Sequence, residues 1–260
     1  EIADMASERQ KLESELDIAR DIQQAMLPPG RTVIAEGVAI EAYAVLKPAK
    51  AVGGDFYTFF DTVDGQLWFV IGDVSDKGVP AALFMARSVT VLEVAARLGG
   101  APARALAEAA RHLVEGNDTC MFATVACGKL DLASGRLEMA SAGHEPPVLL
   151  RSGAAPEWLK LPGGPPLGFE ADAAFDTWTG RLEPGDGLLL YTDGVTEAFD
   201  VADQAFGEQR LLDVLATPRA PAAHCEALLA ALHAYAGEAP QSDDITVLAL
   251  QYQRDAQGGA

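Results

Sequence analysis

Four aspartates, each beside a β-type apolar run, constrain this chain more than any other feature. They are Asp55 in Val-Gly-Gly-Asp-Phe, Asp73 in Phe-Val-Ile-Gly-Asp-Val, Asp193 in Leu-Leu-Tyr-Thr-Asp-Gly and Asp243 in Gln-Ser-Asp-Asp-Ile-Thr-Val. Each reads as the end of a strand; in three segments the apolar run carries the carboxylate at its end, and in the fourth the run follows. A fold that shares these strands in a sheet brings the acids to one edge. Two unit charges about 4 Å apart cost roughly 4 kcal/mol at an effective dielectric near 20. Hard divalent cations are the usual remedy, and oxygen ligands point to Mg²⁺, Mn²⁺ or Ca²⁺.

The order of the remaining patterns limits how those strands can pair. Residues 1–27 read as one helix without Gly or Pro, ended by Pro28-Pro29-Gly30. Strand patterns follow at 38–46, 55–62 and 66–74, with Asp64-Gly65 as a hairpin turn between the last two. Two helices, 80–98 and 102–115, each open with a proline. Strands resume at 121–131 and 136–141, then at 175–182 and 187–192 after a Gly/Pro-rich region. Helices at 208–215 and 222–236 precede a last strand at 245–252. Hairpin-linked strands with helices grouped between them predict an antiparallel sandwich with helices outside, and the lack of βαβ alternation argues against a doubly wound sheet.

Within the first helix, Ile2, Met5, Arg9, Leu12, Leu16, Ala19, Gln23 and Met26 repeat at spacings of three and four, a heptad seam with two polar interruptions. It fits either a helix packed on its own domain or a parallel coiled coil joining two chains. The expected organisation is a linker helix over 1–28, a single domain over 29–254 and a frayed tail over 255–260. The chain begins at Glu1 rather than Met, as expected of a piece cut from a longer protein with a sensor or anchor upstream.

With 260 residues, 49% apolar and 22% charged, the chain has enough apolar sequence for a sizeable core. Its net charge of −19 and lack of Lys/Arg clusters argue against nucleic acid. Three cysteines, Cys120, Cys127 and Cys225, form no CxxC pair, so the expectation is a reduced, cytoplasmic setting. No stretch reads as a membrane span, and no signal peptide is visible.

Gly-Asp-Val-Ser-Asp-Lys-Gly-Val-Pro-Ala-Ala-Leu at 72–83 follows a strand and opens a helix. Taken with the other aspartate patterns, in this order, it resembles the SpoIIE/RsbU-type branch of the metal-dependent (PPM, type 2C) serine/threonine protein phosphatases. Met121-Phe122-Ala123-Thr124, Ser141-Ala142-Gly143-His144-Glu145-Pro146-Pro147, Gly164-Pro165-Pro166-Leu167-Gly168 and Phe206-Gly207 extend the match over about 29–252. The segment 15–28, with Ile18-Ala19-Arg20-Asp21-Ile22-Gln23, looks like the helix that precedes such domains.

The resemblance implies an α+β fold of two stacked antiparallel β-sheets flanked by helix pairs, preceded by the long helix. It implies two Mn²⁺ or Mg²⁺ ions at one end, with metal-activated water attacking phosphorus in line. Asp73 would bridge both ions, the Val74 carbonyl would bind one, and Asp193 and Asp243 would hold the other. Asp55 would bind the first ion directly or through the attacking water, which it would position, and Asp244 is a neighbour rather than a ligand. Gly53, Gly54 and Gly72 would allow close backbone approach beside the ions. Lys50 is the candidate phosphate cation, with Lys77 and Arg87 as weaker alternatives. Leu12, Leu16 and Ala19 would be regulatory, through dimerisation of the linker helix. The implied partner is a phosphorylated anti-sigma-factor antagonist of the STAS type.

Two departures stand out. The bridging aspartate of better-known type 2C enzymes is followed by Gly-His, whereas here Val74-Ser75 follows, leaving the proton donor to the leaving group unassigned. Their third-metal aspartate is replaced by His144, read as a structural loop residue. Two rival readings remain. Val-Gly-Gly-Asp-Phe is similar to the diguanylate cyclase signature but lacks its Glu, and a binding module without catalysis is the other.

Overall fold

In the computed structural model, residues 2–35 and 38–254 are described; Glu1 and the expected tail at 255–260 lie outside them. A long helix, α1 (Ile2–Ala25), leads into β1 (Arg31–Ala35) and β2 (Val38–Lys47). The predicted hairpin is β3 (Phe56–Asp61) and β4 (Gln66–Val74), with Gly65 supplying the left-handed turn at φ 75°. Helices α2 (Val79–Arg97) and α3 (Pro102–Val114) follow, then β5 (Ala123–Asp131), β6 (Arg136–Ala142), β7 (Val148–Leu150), β8 (Glu157–Trp158), β9 (Trp178–Arg181) and β10 (Gly187–Tyr191). A single turn, α4 (Asp193–Thr196), precedes α5 (Gly207–Leu215), α6 (Pro221–Ala236) and β11 (Ile245–Arg254).

The strands form two antiparallel sheets, ordered β1-β2-β11-β10-β7-β8 and β3-β4-β5-β6-β9. The expected αββα sandwich is therefore present. Alternation along the strands builds three layers of core. In β4, Leu67, Phe69 and Ile71 face the other sheet, while Val70 faces α2 and α3 and Trp68 packs with Ala95, Ala96 and Ala105 of those helices. In β11, Leu248, Leu250 and Tyr252 face inward, while Val247 and Ala249 lie under α5 and α6. Both strands are covered on both faces, which is why they read as continuous apolar runs.

Four short elements were not legible in the sequence: β1, β7, β8 and α4. Strands β7 and β8 are three and two residues long at one end of their sheet, too short for a period-two signal. One expectation is corrected. Among the described residues α2 is long and apolar enough to cross a membrane by length and composition. Its apolarity has a local cause, because Ala81, Phe84, Met85, Val89 and Leu92 are buried against β4 and α3.

Helix α1 divides along its length. Met5 is 71% exposed and Leu12 57% exposed, whereas Leu16, Ala19, Gln23 and Met26 are half-buried. The C-terminal end packs on the domain through Met26 and Leu27, and Ala19, Ile22, Gln23 and Met26 line a cavity of about 210 Å³ shared with Val79, Ala82 and Leu83 of α2.

Candidate metal centre

Strand parity brings the site together at one open end of the sandwich. Asp73 continues the inward row Leu67, Phe69, Ile71, and Asp55 continues the inward row of Tyr57 and Phe59. The β3–β4 register pairs Phe56 with Gly72, so one more step sets Asp55 across from Asp73. Asp55 thus stands just before its strand and not after one, a correction to the strand-end reading, because the run that carries it is β3 and follows it. On the opposite sheet, Thr192 and Thr246 continue the inward rows of Leu190 and Leu248. Their hydroxyls donate to Asp55 Oδ2 at 2.7 and 2.5 Å. Asp193 begins the turn after β10, and Asp243 lies two residues before β11.

These carboxylates load one another. Burial pushes the Asp55 carboxyl well above the usual range, Asp73 adds to the rise, and the two threonine hydroxyls oppose it. Asp73 is pushed up to about 7 by burial and then by the charge of Asp193, with Asp243 and Asp244 contributing. Asp193 is raised by burial, Glu197 and Asp243, and opposed by the Gly194 N–H and the Lys77 ammonium. Asp73, Val74, Asp193 and Asp243 line one cavity of about 350 Å³, together with Lys77, Thr124, His144 and Glu145.

The donor set fits hard divalent cations. It is made of carboxylates and the Val74 carbonyl, and its mutual repulsion is what such cations remove. As placed, no group of three His, Cys, Asp or Glu side chains among the described residues is tight enough to grip an ion. Instead the Lys77 ammonium holds Asp243 Oδ2 at 2.9 Å.

The residue after Asp243 has a different task. The buried Asp244 carboxylate accepts from the Ala49 N–H at 2.8 Å and the Gly54 N–H at 2.9 Å, with the Asp55 N–H at 3.4 Å. It therefore ties β11 to the loop that carries Asp55, consistent with its expected place as a neighbour. The glycines make room for it. A Cβ on Gly53 would lie 1.9 Å from Asp244 Oδ2, and one on Gly54 would lie 2.9 Å from the Val74 carbonyl oxygen.

His144 is bonded at both ring nitrogens. Nε2 donates to the Tyr191 carbonyl at 2.9 Å, which leaves Nδ1 to accept from Thr124 Oγ1 at 3.0 Å. It spans the two sheets, since Thr124 lies in β5 beside Asp73 and Tyr191 ends β10. Burial pushes its pKa down to about 4, partly opposed by the backbone at Tyr191 and Thr124. A neutral imidazole with both nitrogens engaged is a structural strut, as its loop position suggested. Lys50 is exposed and does not line the cavity, whereas Lys77 does. Arg87 instead donates to the carbonyls of His112 and Glu115, on the far side of α2.

Sequence reasoning missed Thr192, Thr246 and Glu145. The threonines had a signal in strand parity, which puts them on the carboxylate face. Glu145 is raised by burial, then by Asp193, Glu197 and Glu208, a neighbourhood drawn from two distant segments.

Comparisons with known proteins agree with this geometry. The family model for Stage II sporulation protein E (SpoIIE) matches residues 63–253. Protein IcfG of Synechocystis sp. is 32% identical over 91% of this chain and 41% of its own length. Phosphoserine phosphatase RsbU of Bacillus subtilis is 30% identical over 73% of this chain and 55% of its own length. The chain thus spans about half the length of the curated relatives it matches. Among solved structures, the SiaA-PP2C domain of Pseudomonas aeruginosa superposes with a TM-score of 0.81 at 27% identity, covering 95% of this chain and 99% of that one. RsbX in complex with magnesium, at 18% identity and a TM-score of 0.62, shares the fold. The chain belongs to the SpoIIE family and has the PP2C fold.

Proposed function

We propose that this domain removes phosphate from phosphoserine or phosphothreonine of a partner protein, using two Mn²⁺ or Mg²⁺ ions. The observation that carries the reading is the convergence of Asp73, Val74, Asp193 and Asp243 on one cavity, with the buried Asp55 across from Asp73. Asp73 would bridge the ions, Val74 would add its carbonyl to one, and Asp193 and Asp243 would hold the other. When bound, the ions supply an activated water and neutralise phosphoryl charge.

The chain's own residues supply the rest. Thr192 and Thr246 fix the Asp55 carboxylate opposite Asp73, where it would orient the attacking water. Asp244 holds the loop beneath it. No side chain next to Asp73 offers a proton to the leaving serine oxygen, and His144 is committed to Thr124 and Tyr191. Proton delivery by solvent within the site is the reading that fits.

For substrate, we infer a phosphorylated STAS-type anti-sigma-factor antagonist, in keeping with the likeness to the phosphoserine phosphatases RsbU and RsbP. For assembly, the exposed seam of α1 at Met5 and Leu12 supports pairing with a second copy through residues 1–28, and the setting is cytoplasmic. A regulatory binding module without catalysis is disfavoured by the retention of all four acids.

The test is phosphate release from a phosphoserine protein in Mn²⁺ against chelator, for the natural domain and Asp193→Asn. Mn²⁺-dependent turnover that falls at least about a hundredfold in the variant is expected, the loss typical of a removed catalytic electrostatic group. Metal-independent turnover, or none from any phosphoprotein, overturns the reading.

A further inference from the structure

Among the residues that line the carboxylate cavity, Lys77 is the one permanent cation; the others include Asp73, Asp76, Glu145, Asp193 and Asp243. It lies in the turn between β4 and α2, a turn in an unusual conformation. Asp76 has φ 70° and Gly78 has φ 81°. For a residue with a Cβ this costs roughly 1–2 kcal/mol, and the result is a lysine brought back over the site. Its Nζ lies 2.9 Å from Asp243 Oδ2 and also donates to the Ser242 carbonyl.

That position conflicts with two other requirements. Asp243 cannot give the same oxygen fully to an ammonium and to a divalent cation. A phosphoryl dianion entering this acidic cavity needs protein-borne positive charge, and Lys50 is outside it. One movement meets both requirements. When an ion takes Asp243, the flexible, 40%-exposed Lys77 side chain is released at the mouth of the cavity where phosphate arrives.

We propose that Lys77 is a two-position residue: it occupies Asp243 when the metal is absent and binds a phosphoryl oxygen of the substrate when the metal is present. The proposal rests on the phosphatase reading, and its test does not require turnover. Mn²⁺ binding to the metal-free domain, and inorganic phosphate binding to the Mn²⁺-loaded domain, are measured by calorimetry for the natural protein, Lys77→Gln and Lys77→Arg.

Removing the lysine removes a competitor of the metal, so Lys77→Gln binds Mn²⁺ about threefold more tightly, the scale of an exposed ion pair. The same variant loses a charge-assisted bond to phosphate, so it binds inorganic phosphate about tenfold more weakly. Lys77→Arg keeps phosphate binding within about threefold, since it retains the cation. Opposite changes in the two affinities are the signature. Lys77→Gln with unchanged phosphate affinity, or with both affinities weakened together, overturns the proposal. If the natural domain binds both ligands as described yet releases no phosphate from phosphoproteins, the phosphatase reading fails while Lys77 keeps its two positions.

Discussion

The side-chain amide of Gln23 pairs with the backbone of Gly53 in both directions. Nε2 donates to the Gly53 carbonyl at 2.7 Å, and Oε1 accepts from the Gly53 N–H at 3.2 Å. Gly53 is two residues from Asp55, so the last turns of α1 are bonded directly to the loop that carries a site carboxylate. The same amide stands in the heptad seam, where it reads as a polar interruption.

Replacing Gln23 therefore reaches the metal centre. Gln23→Ala deletes two partly buried hydrogen bonds, each contributing about 1 kcal/mol. A loss of up to about 2 kcal/mol in loop order, or roughly tenfold or more in turnover at limiting Mn²⁺, is expected. Gln23→Glu keeps an acceptor for the Gly53 N–H but sets a carboxylate against the Gly53 carbonyl, so it is no better than alanine. Initial rates across a Mn²⁺ titration, with the melting temperature as control, decide it. Unchanged rates in both variants mean that α1 does not tune the site through this contact.

Asp243 and Asp244 are adjacent in sequence but make opposite predictions. Asp244→Asn leaves one acceptor yet turns an NH₂ toward the amide of either Ala49 or Gly54, which bond different oxygens, at a cost of about 1–3 kcal/mol in stability. Asp243→Asn removes a half-buried carboxylate from a crowded acidic set, so the metal-free fold keeps its stability or gains some while Mn²⁺ affinity drops by about tenfold or more. Gly53→Ala resembles Asp244→Asn, because its Cβ would run into the Asp244 carboxylate. Urea unfolding paired with Mn²⁺ binding separates the two classes, and equal stability losses at Asp243 and Asp244 would refute the division of labour.

Much of this was legible in the sequence because the site is built on strand ends. Apolar runs covered on both faces announced β4, β10 and β11, and prolines marked the starts of α2 and α3. The acids stood out because a carboxylate directly beside such a run has few bland explanations. What escaped depended on side chains meeting across the sandwich. The Thr192 and Thr246 hydroxyls converge on Asp55 from the other sheet, 137 and 191 residues away in sequence. Lys50 was favoured over Lys77 by its spacing from Asp55, and only the left-handed turn at Asp76 shows which lysine turns back over the cavity.

His144 gives the domain an acid limit of its own. Its folded pKa, about 4, lies below the ordinary value of 6.5 because burial disfavours the imidazolium. The unfolded chain therefore binds more protons at this residue between those values, and stability falls as pH drops from about 6.5 toward 4. The contribution is complete above about 6.5 and amounts to up to about 3 kcal/mol. Protonation would also force Nδ1 to donate, breaking its acceptance of the Thr124 hydroxyl and loosening the tie between β5 and β10. The groups around it are the Ser141 hydroxyl, which accepts from the His144 N–H, and the carboxylates of Asp73, Glu145 and Asp193 in the same cavity. Those carboxylates titrate too, so the difference between natural protein and His144→Gln isolates the imidazole. Glutamine offers a donor and an acceptor without a charge change. Urea unfolding from pH 4 to 8 is expected to give a variant that is less stable at pH 8, with a shallower decline below 6.5. Parallel pH profiles for the two proteins would show that His144 does not set the acid limit.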